Sequence, residues 1–197
     1  MAKKNWIVAA LALSVCIAGC GLSQASQSNG IVIDKSGKVT EYIVEEFSQD
    51  YYSADELKAM VEEEITDFHG DGTVSLEKLE AKDNNLYMTL KYSSAKAYTA
   101  FNDVGDAGSI LFVGTVSDAY ASGYNMDVTM KSARDDASVI TKDSILAQGE
   151  KNMVVYSGDV EVQVPGKILY ISEWASADEK YAYPGDNAEG KMMYIIY

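Results

Sequence analysis

Along much of this chain apolar and polar residues alternate, and the few places where the period changes mark its elements. Residues 31–33 and 39–47 are runs rich in β-branched side chains on either side of Asp34-Lys35-Ser36-Gly37, which predicts an opening β-hairpin. The period then becomes helical. Leu57, Met60, Val61, Ile65 and Phe68 fall on one face, with Glu62, Glu63 and Glu64 turned mostly to water. Ser53 with Glu56 three residues on forms a capping box, Tyr52 can staple onto Leu57, and Gly70 supplies a stop.

Alternation returns at residues 74–82 and 86–92, flanking Asp83-Asn84-Asn85, and predicts a second hairpin. Leu86, Met88, Leu90 and Tyr92 share one face, Tyr87 and Thr89 the other. Ser94 can cap a short helix carrying Ala97, Tyr98 and Phe101. The run 110–113 reads as a buried strand, and Thr115 can cap another short helix that stops at Gly123. In the second half Met126, Val128 and Met130 alternate, and 153–156, 160–164, 167–172 and 192–196 read as strands. Pro165-Gly166 suits the centre of a type II turn, and 174–187 has no clear period. The order predicts an α+β fold, a largely antiparallel sheet with a few short helices packed mainly on one face.

The first residues follow a different logic. Lys3 and Lys4 precede an apolar run, residues 6–17, which is too short for the ~20 residues that span a bilayer. The run ends in Ile17-Ala18-Gly19-Cys20, which resembles the lipobox of bacterial lipoproteins at all four positions. That resemblance implies cleavage of residues 1–19 as a signal peptide and a lipid on Cys20, the first residue of the mature protein. Two acyl chains on Cys20 would hold firmly, because each buried CH2 contributes ~0.8 kcal/mol and one chain alone binds marginally. Residues 21–30 (GLSQASQSNG) are small and polar, a tether reaching roughly 16–19 Å as a coil. The expected organisation is therefore signal peptide 1–19, lipidated cysteine and tether 20–30, and one folded domain 31–197. Its expected address is the extracytoplasmic face of the cell membrane.

Cysteine usage narrows the chemistry. Cys16 and Cys20 are the only cysteines, so the expected mature domain has neither thiol nor disulfide, which excludes a cysteine nucleophile, a thiolate metal site and a redox pair. The formal charge of −14, with Arg134 the single arginine, repels phosphate backbones and excludes nucleic acid as a partner. Solubility explains that acidity without a dedicated cation site. The chain also carries 14 tyrosines against four phenylalanines. Tyrosine suits a half-buried pleated surface, and also suits recognition, because the ring packs while the hydroxyl stays hydrogen-bonded.

Asp67-Phe68-His69-Gly70-Asp71-Gly72 has part of the spacing of a calcium loop, with Asp67 and Asp71 as ligands. Lys78 stands where the closing acid should be and His69 is a poor calcium ligand, so no metal and no cofactor is expected. His69 is the only histidine, and no nucleophile elbow or phosphate loop is present. The many carboxylates permit a glycosidase-type acid and base, but nothing in the sequence selects a pair.

Several whole segments look like a family of cell-surface lipoproteins of Gram-positive gut anaerobes, a family without an established activity. They are the lipobox, Tyr52-Ser-Ala-Asp-Glu-Leu57, Tyr98-Thr-Ala-Phe-Asn102, Phe112-Val-Gly-Thr-Val-Ser-Asp-Ala119 and Val164-Pro-Gly-Lys-Ile-Leu-Tyr-Ile-Ser172. The resemblance implies a surface location and no particular chemistry. Anchor, tether and tyrosine content together point to a non-catalytic binding module for an envelope protein, glycan or peptide, with Tyr87, Trp174, Tyr181 and Tyr183 as its contact surface. The alternative is a carboxylate-dependent hydrolase of cell-wall or dietary glycan.

Overall fold

A computed structural model describes residues 28–49, 53–68, 73–103, 109–135, 137–186, 188 and 190–197. Cys20, His69 and Asp71 lie outside the described residues, and so do the signal and most of the tether. The fold is α+β, with two antiparallel-rich sheets. β1 (Gly30–Ile33) and β2 (Val39–Glu46) form the opening hairpin. Its turn is held by the Asp34 carboxylate, which accepts from Ser36 N, Ser36 Oγ and Lys38 N at 2.7, 2.7 and 3.0 Å. Helix α1 (Ala54–Asp67) starts where Ser53 Oγ accepts from Glu56 N. β3 (Val74–Lys82) and β4 (Asn85–Tyr92) form the second hairpin through Asp83 and Asn84, both at positive φ as a type I′ turn demands.

Helix α2 (Ala95–Phe101) leads to β5 (Leu111–Thr115), and Thr115 with Asp118 makes a reciprocal capping box at α3 (Val116–Ala121). Then come β6 (Met130–Ser132), β7 (Val139–Ile140), α4 (Lys142–Leu146), β8 (Asn152–Tyr156), β9 (Glu161–Gln163), β10 (Tyr170–Ser172), β11 (Ser176–Asp178), β12 (Tyr181–Tyr183) and β13 (Met193–Ile196).

Seven strands form sheet A in the order β11-β12-β9-β1-β2-β4-β3, and six form sheet B in the order β5-β8-β13-β10-β6-β7. Among the described residues the single parallel contact is β1 with β9. The sheets share one core: Ile31, Ile33, Val39, Met88 and Leu90 of sheet A lie in the same buried cluster as Val154, Tyr156, Ile171, Met193 and Ile195 of sheet B. Helices α1 and α2 add Val61, Ala95, Ala97 and Tyr98 to it. On the far side of sheet B a second cluster joins Met153, Val155, Tyr194 and Ile196 to Val116 and Ala119 of α3 and Ile145 of α4. Both faces of β8 and β13 are therefore covered, which is why their sequences are continuously apolar instead of alternating.

Four expectations need correction. Met60 is 44% exposed because it lies about 100° around α1 from Val61, the helix's one buried side chain. Residues 174–187 contain the short hairpin β11–β12, in strands of only three residues, too few for a visible period. Of the alternating run 126–130, only Met130 begins a strand; Met126 is buried from irregular chain. Pro165-Gly166 does not form a type II turn, since Gly166 has no positive φ. The pair instead sits where the chain crosses from sheet A to sheet B, and a Cβ on Gly166 would come within 3.0 Å of the Tyr197 ring.

Candidate functional site

Register fixes which side chains of sheet A face the core and which face away. Ile31 opposes Glu41, Val39 opposes Tyr92 and Ile43 opposes Met88 on the inner side. The outer side then carries Val32, Thr40, Tyr42 and Val44, with Tyr87, Thr89 and Lys91 beside them. Across β1 and β9 the same side continues through Glu161 and Gln163 to Tyr181 and Tyr183 of β12. None of these outer side chains joins either buried cluster.

Three of the four aromatic residues that the sequence singled out thus share one face, and Tyr42 joins them. Tyr183 is 36% exposed, and Tyr42, Tyr87 and Tyr181 are half-buried. Tyr181 and Tyr183 are two residues apart, ~7 Å along the strand, and three strand spacings, ~14 Å, separate β12 from Tyr42 on β2. Glu161, Gln163, Thr40 and Lys91 fill the rows between the rings, and Thr89 is buried among them. Trp174 lies elsewhere. It packs against the core in the β10–β11 connection, with the Lys191 ammonium 5.6 Å from its ring centroid and with Gly185 so close that a Cβ there would collide with its carbonyl oxygen.

The inner face holds a polar cluster that the alternation pattern had concealed. Glu41 points inward, and the Tyr92 hydroxyl donates to its Oε2 at 2.5 Å. The Tyr98 hydroxyl is within hydrogen-bonding reach of both Glu41 and Tyr156, and Asn102 Nδ2 donates to the Tyr92 oxygen at 3.3 Å. Tyr92 and Tyr98 meet edge to face with centroids 5.1 Å apart, and Phe101 and Phe68 extend the group. Burial raises the Glu41 pKa against the lowering effect of the two phenols. Burial likewise raises those of Tyr92, Tyr98 and Tyr156, so all three stay protonated donors.

A central acid in a strand of intermediate polarity reads as surface, and only the pairing of β2 with β1 and β4 turns it inward. The hydrogen-bond partners of Glu41 are phenols. Asp67 closes α1, and among the described residues no group of three or more His, Cys, Asp or Glu could hold a metal ion. No described helix is long and apolar enough to cross a membrane. Compared with family models, curated proteins and solved structures, the chain matches none of them.

Proposed function

We propose that the protein is an exported lipoprotein, held by a lipid on Cys20 at the extracytoplasmic face of the cell membrane. Its folded part is a non-catalytic module that binds envelope glycan through the outer face of sheet A. The observation that carries the reading is the placement of Tyr42, Tyr87, Tyr181 and Tyr183 on one broad sheet surface outside both buried clusters. Phenol rings offer flat apolar area with a hydroxyl at the rim, and the polar side chains between them can meet sugar hydroxyls. A glycan suits this mixture better than a hydrophobic protein partner, which would call for a contiguous apolar patch.

The anchor is supported by the lipobox at 17–20 and by the resemblance to surface lipoproteins. It is tested by metabolic labelling with palmitate: label on the wild type and none on Cys20→Ala supports it, and equal label on both refutes it. The binding face is tested by co-sedimentation with purified, protein-free cell-wall sacculi. Wild type and Trp174→Ala are expected in the pellet, and the Tyr181→Ala/Tyr183→Ala double variant in the supernatant. Equal pelleting of the double variant and wild type removes the tyrosine face from the account, as does failure of the wild type to pellet.

A further inference from the structure

The tyrosines of the outer face do not stand in equivalent surroundings. Two rows of side chains cross sheet A at right angles to its strands. In one, Tyr181 lies beside Gln163, followed by Val32 and Thr40. In the other, the same register sets Tyr183 beside Glu161, Glu161 beside Gly30 and Gly30 beside Tyr42.

The second row has a gap in it. Gly30 contributes no side chain, so Glu161 and Tyr42 flank bare main chain, two strand spacings or about 10 Å apart between their Cα atoms. A Cβ on Gly30 would come 3.3 Å from the Glu161 carbonyl oxygen and 3.7 Å from the Glu161 Cβ, so any side chain there would begin to close the slot. The row also holds a carboxylate that the protein leaves uncompensated. Toward β3, Glu77 and Glu80 pair with Lys91 and Lys78, both at 2.5 Å. Glu161 is half-buried and is in no ion pair or side-chain hydrogen bond among the described residues. Burial accordingly raises its pKa with nothing to oppose it. The first row differs on each count: it has an amide in place of the acid, and the Lys180 ammonium already stands 5.3 Å from the Tyr181 ring centroid.

We propose that the slot over Gly30 takes a protonated amino group of the bound glycan, the ammonium meeting the Glu161 carboxylate while the sugar ring lies against Tyr42 or Tyr183. The ligand is then an amino sugar with free amines. This rests on the glycan reading of the outer face and narrows it. An ammonium held between a carboxylate and phenol rings gains from a charge-assisted hydrogen bond and from the ring quadrupoles, and it restores to Glu161 the partner that burial took away. The formal charge of −14 draws a cationic glycan toward the face and repels an anionic one.

The test is a titration of the 15N-labelled full chain in detergent micelles with the chitosan trimer and with its fully N-acetylated form, at slightly acidic pH where the free amines are protonated. Binding is followed by the amide shifts of Gly30, Tyr42 and Glu161. Wild type should bind the free-amine trimer about fivefold more tightly, a charge-assisted hydrogen bond being about twice as strong as a neutral one. Glu161→Gln should bind the two trimers alike. Acetyl-trilysine amide, with the same charge and no sugar ring, should bind wild type more weakly than the chitosan trimer. A preference that persists in Glu161→Gln would belong to the acidity of the chain at large, and equal binding of the lysine peptide would remove the sugar; either result overturns the proposal. Equal binding of the two trimers by a wild type that still pellets with sacculi overturns this inference alone, and failure to pellet as well removes the glycan reading with it.

Discussion

Replacing Glu41 by glutamine isolates the titration of one inward-facing acid, because glutamine copies the shape of the protonated carboxyl and cannot ionise. Burial lifts the Glu41 pKa above the ordinary 4.5, and the phenols of Tyr92 and Tyr98 only partly offset this. A carboxyl whose pKa is raised on folding is bound to its proton more tightly in the native state. Its contribution to stability is therefore complete below 4.5 and is lost as pH rises through the folded pKa. Within that window wild-type stability should fall, relative to Glu41→Gln, by up to about 1.4 kcal/mol per pH unit, and each unit of displacement fixes about 1.4 kcal/mol of the total.

The lowered carboxylates of Asp34, Asp118 and Asp135 act in the opposite sense, gaining stability with pH, but they are present in both proteins and cancel in the difference. The assay is urea unfolding of both proteins at half-unit steps from pH 4 to pH 8. A growing advantage for Glu41→Gln that levels off above the window supports the reasoning. Parallel curves, or an advantage that shrinks as pH rises, would sink it.

Three further substitutions probe the frame around these sites. Thr99→Val removes the two hydrogen bonds between Thr99 Oγ1 and the Leu111 main chain and leaves those main-chain groups unpaired, at a cost of about 1–3 kcal/mol in urea unfolding, with faster hydrogen exchange at the Leu111 amide. Ile195→Ala opens a cavity between the sheets at a fully buried position and should cost about 2–5 kcal/mol in the same assay. Gly158→Ala places a methyl group against the Tyr156 ring and hydroxyl, and a loss of thermal stability with altered tyrosine near-ultraviolet dichroism is expected; an unchanged spectrum would contradict the packing.

The hairpins β1–β2 and β3–β4, helix α1 and the Ser94 and Thr115 caps were legible because each rests on local signals, either alternation, helical spacing or a side chain that caps its own helix. The division into two sheets was not legible. It depends on β1 pairing with β9, more than a hundred residues away, and on a crossing at 165–166 that looks like an ordinary turn. Helix α4 went unseen because its N-cap residue Thr141 makes no side-chain cap and the element is five residues long.

For the candidate site, period-two alternation was enough to put Tyr87 opposite the core-facing Met88, but it could not bring β12 onto the same sheet. Trp174 packs against the core from the β10–β11 connection, and a large aromatic residue near polar neighbours reads equally as contact surface or as packing. Glu41 was invisible for the converse reason: nothing local distinguishes an inward glutamate on β2 from the outward residues beside it.

The most direct test of the central claim compares sacculus binding by three forms of the full chain: wild type, Trp174→Ala and Tyr181→Ala/Tyr183→Ala, each first shown to be folded under the binding conditions by its circular dichroism spectrum. The account predicts that wild type and Trp174→Ala bind alike and that the double tyrosine variant loses binding. Retained binding by the double variant, or loss confined to Trp174→Ala, would contradict it.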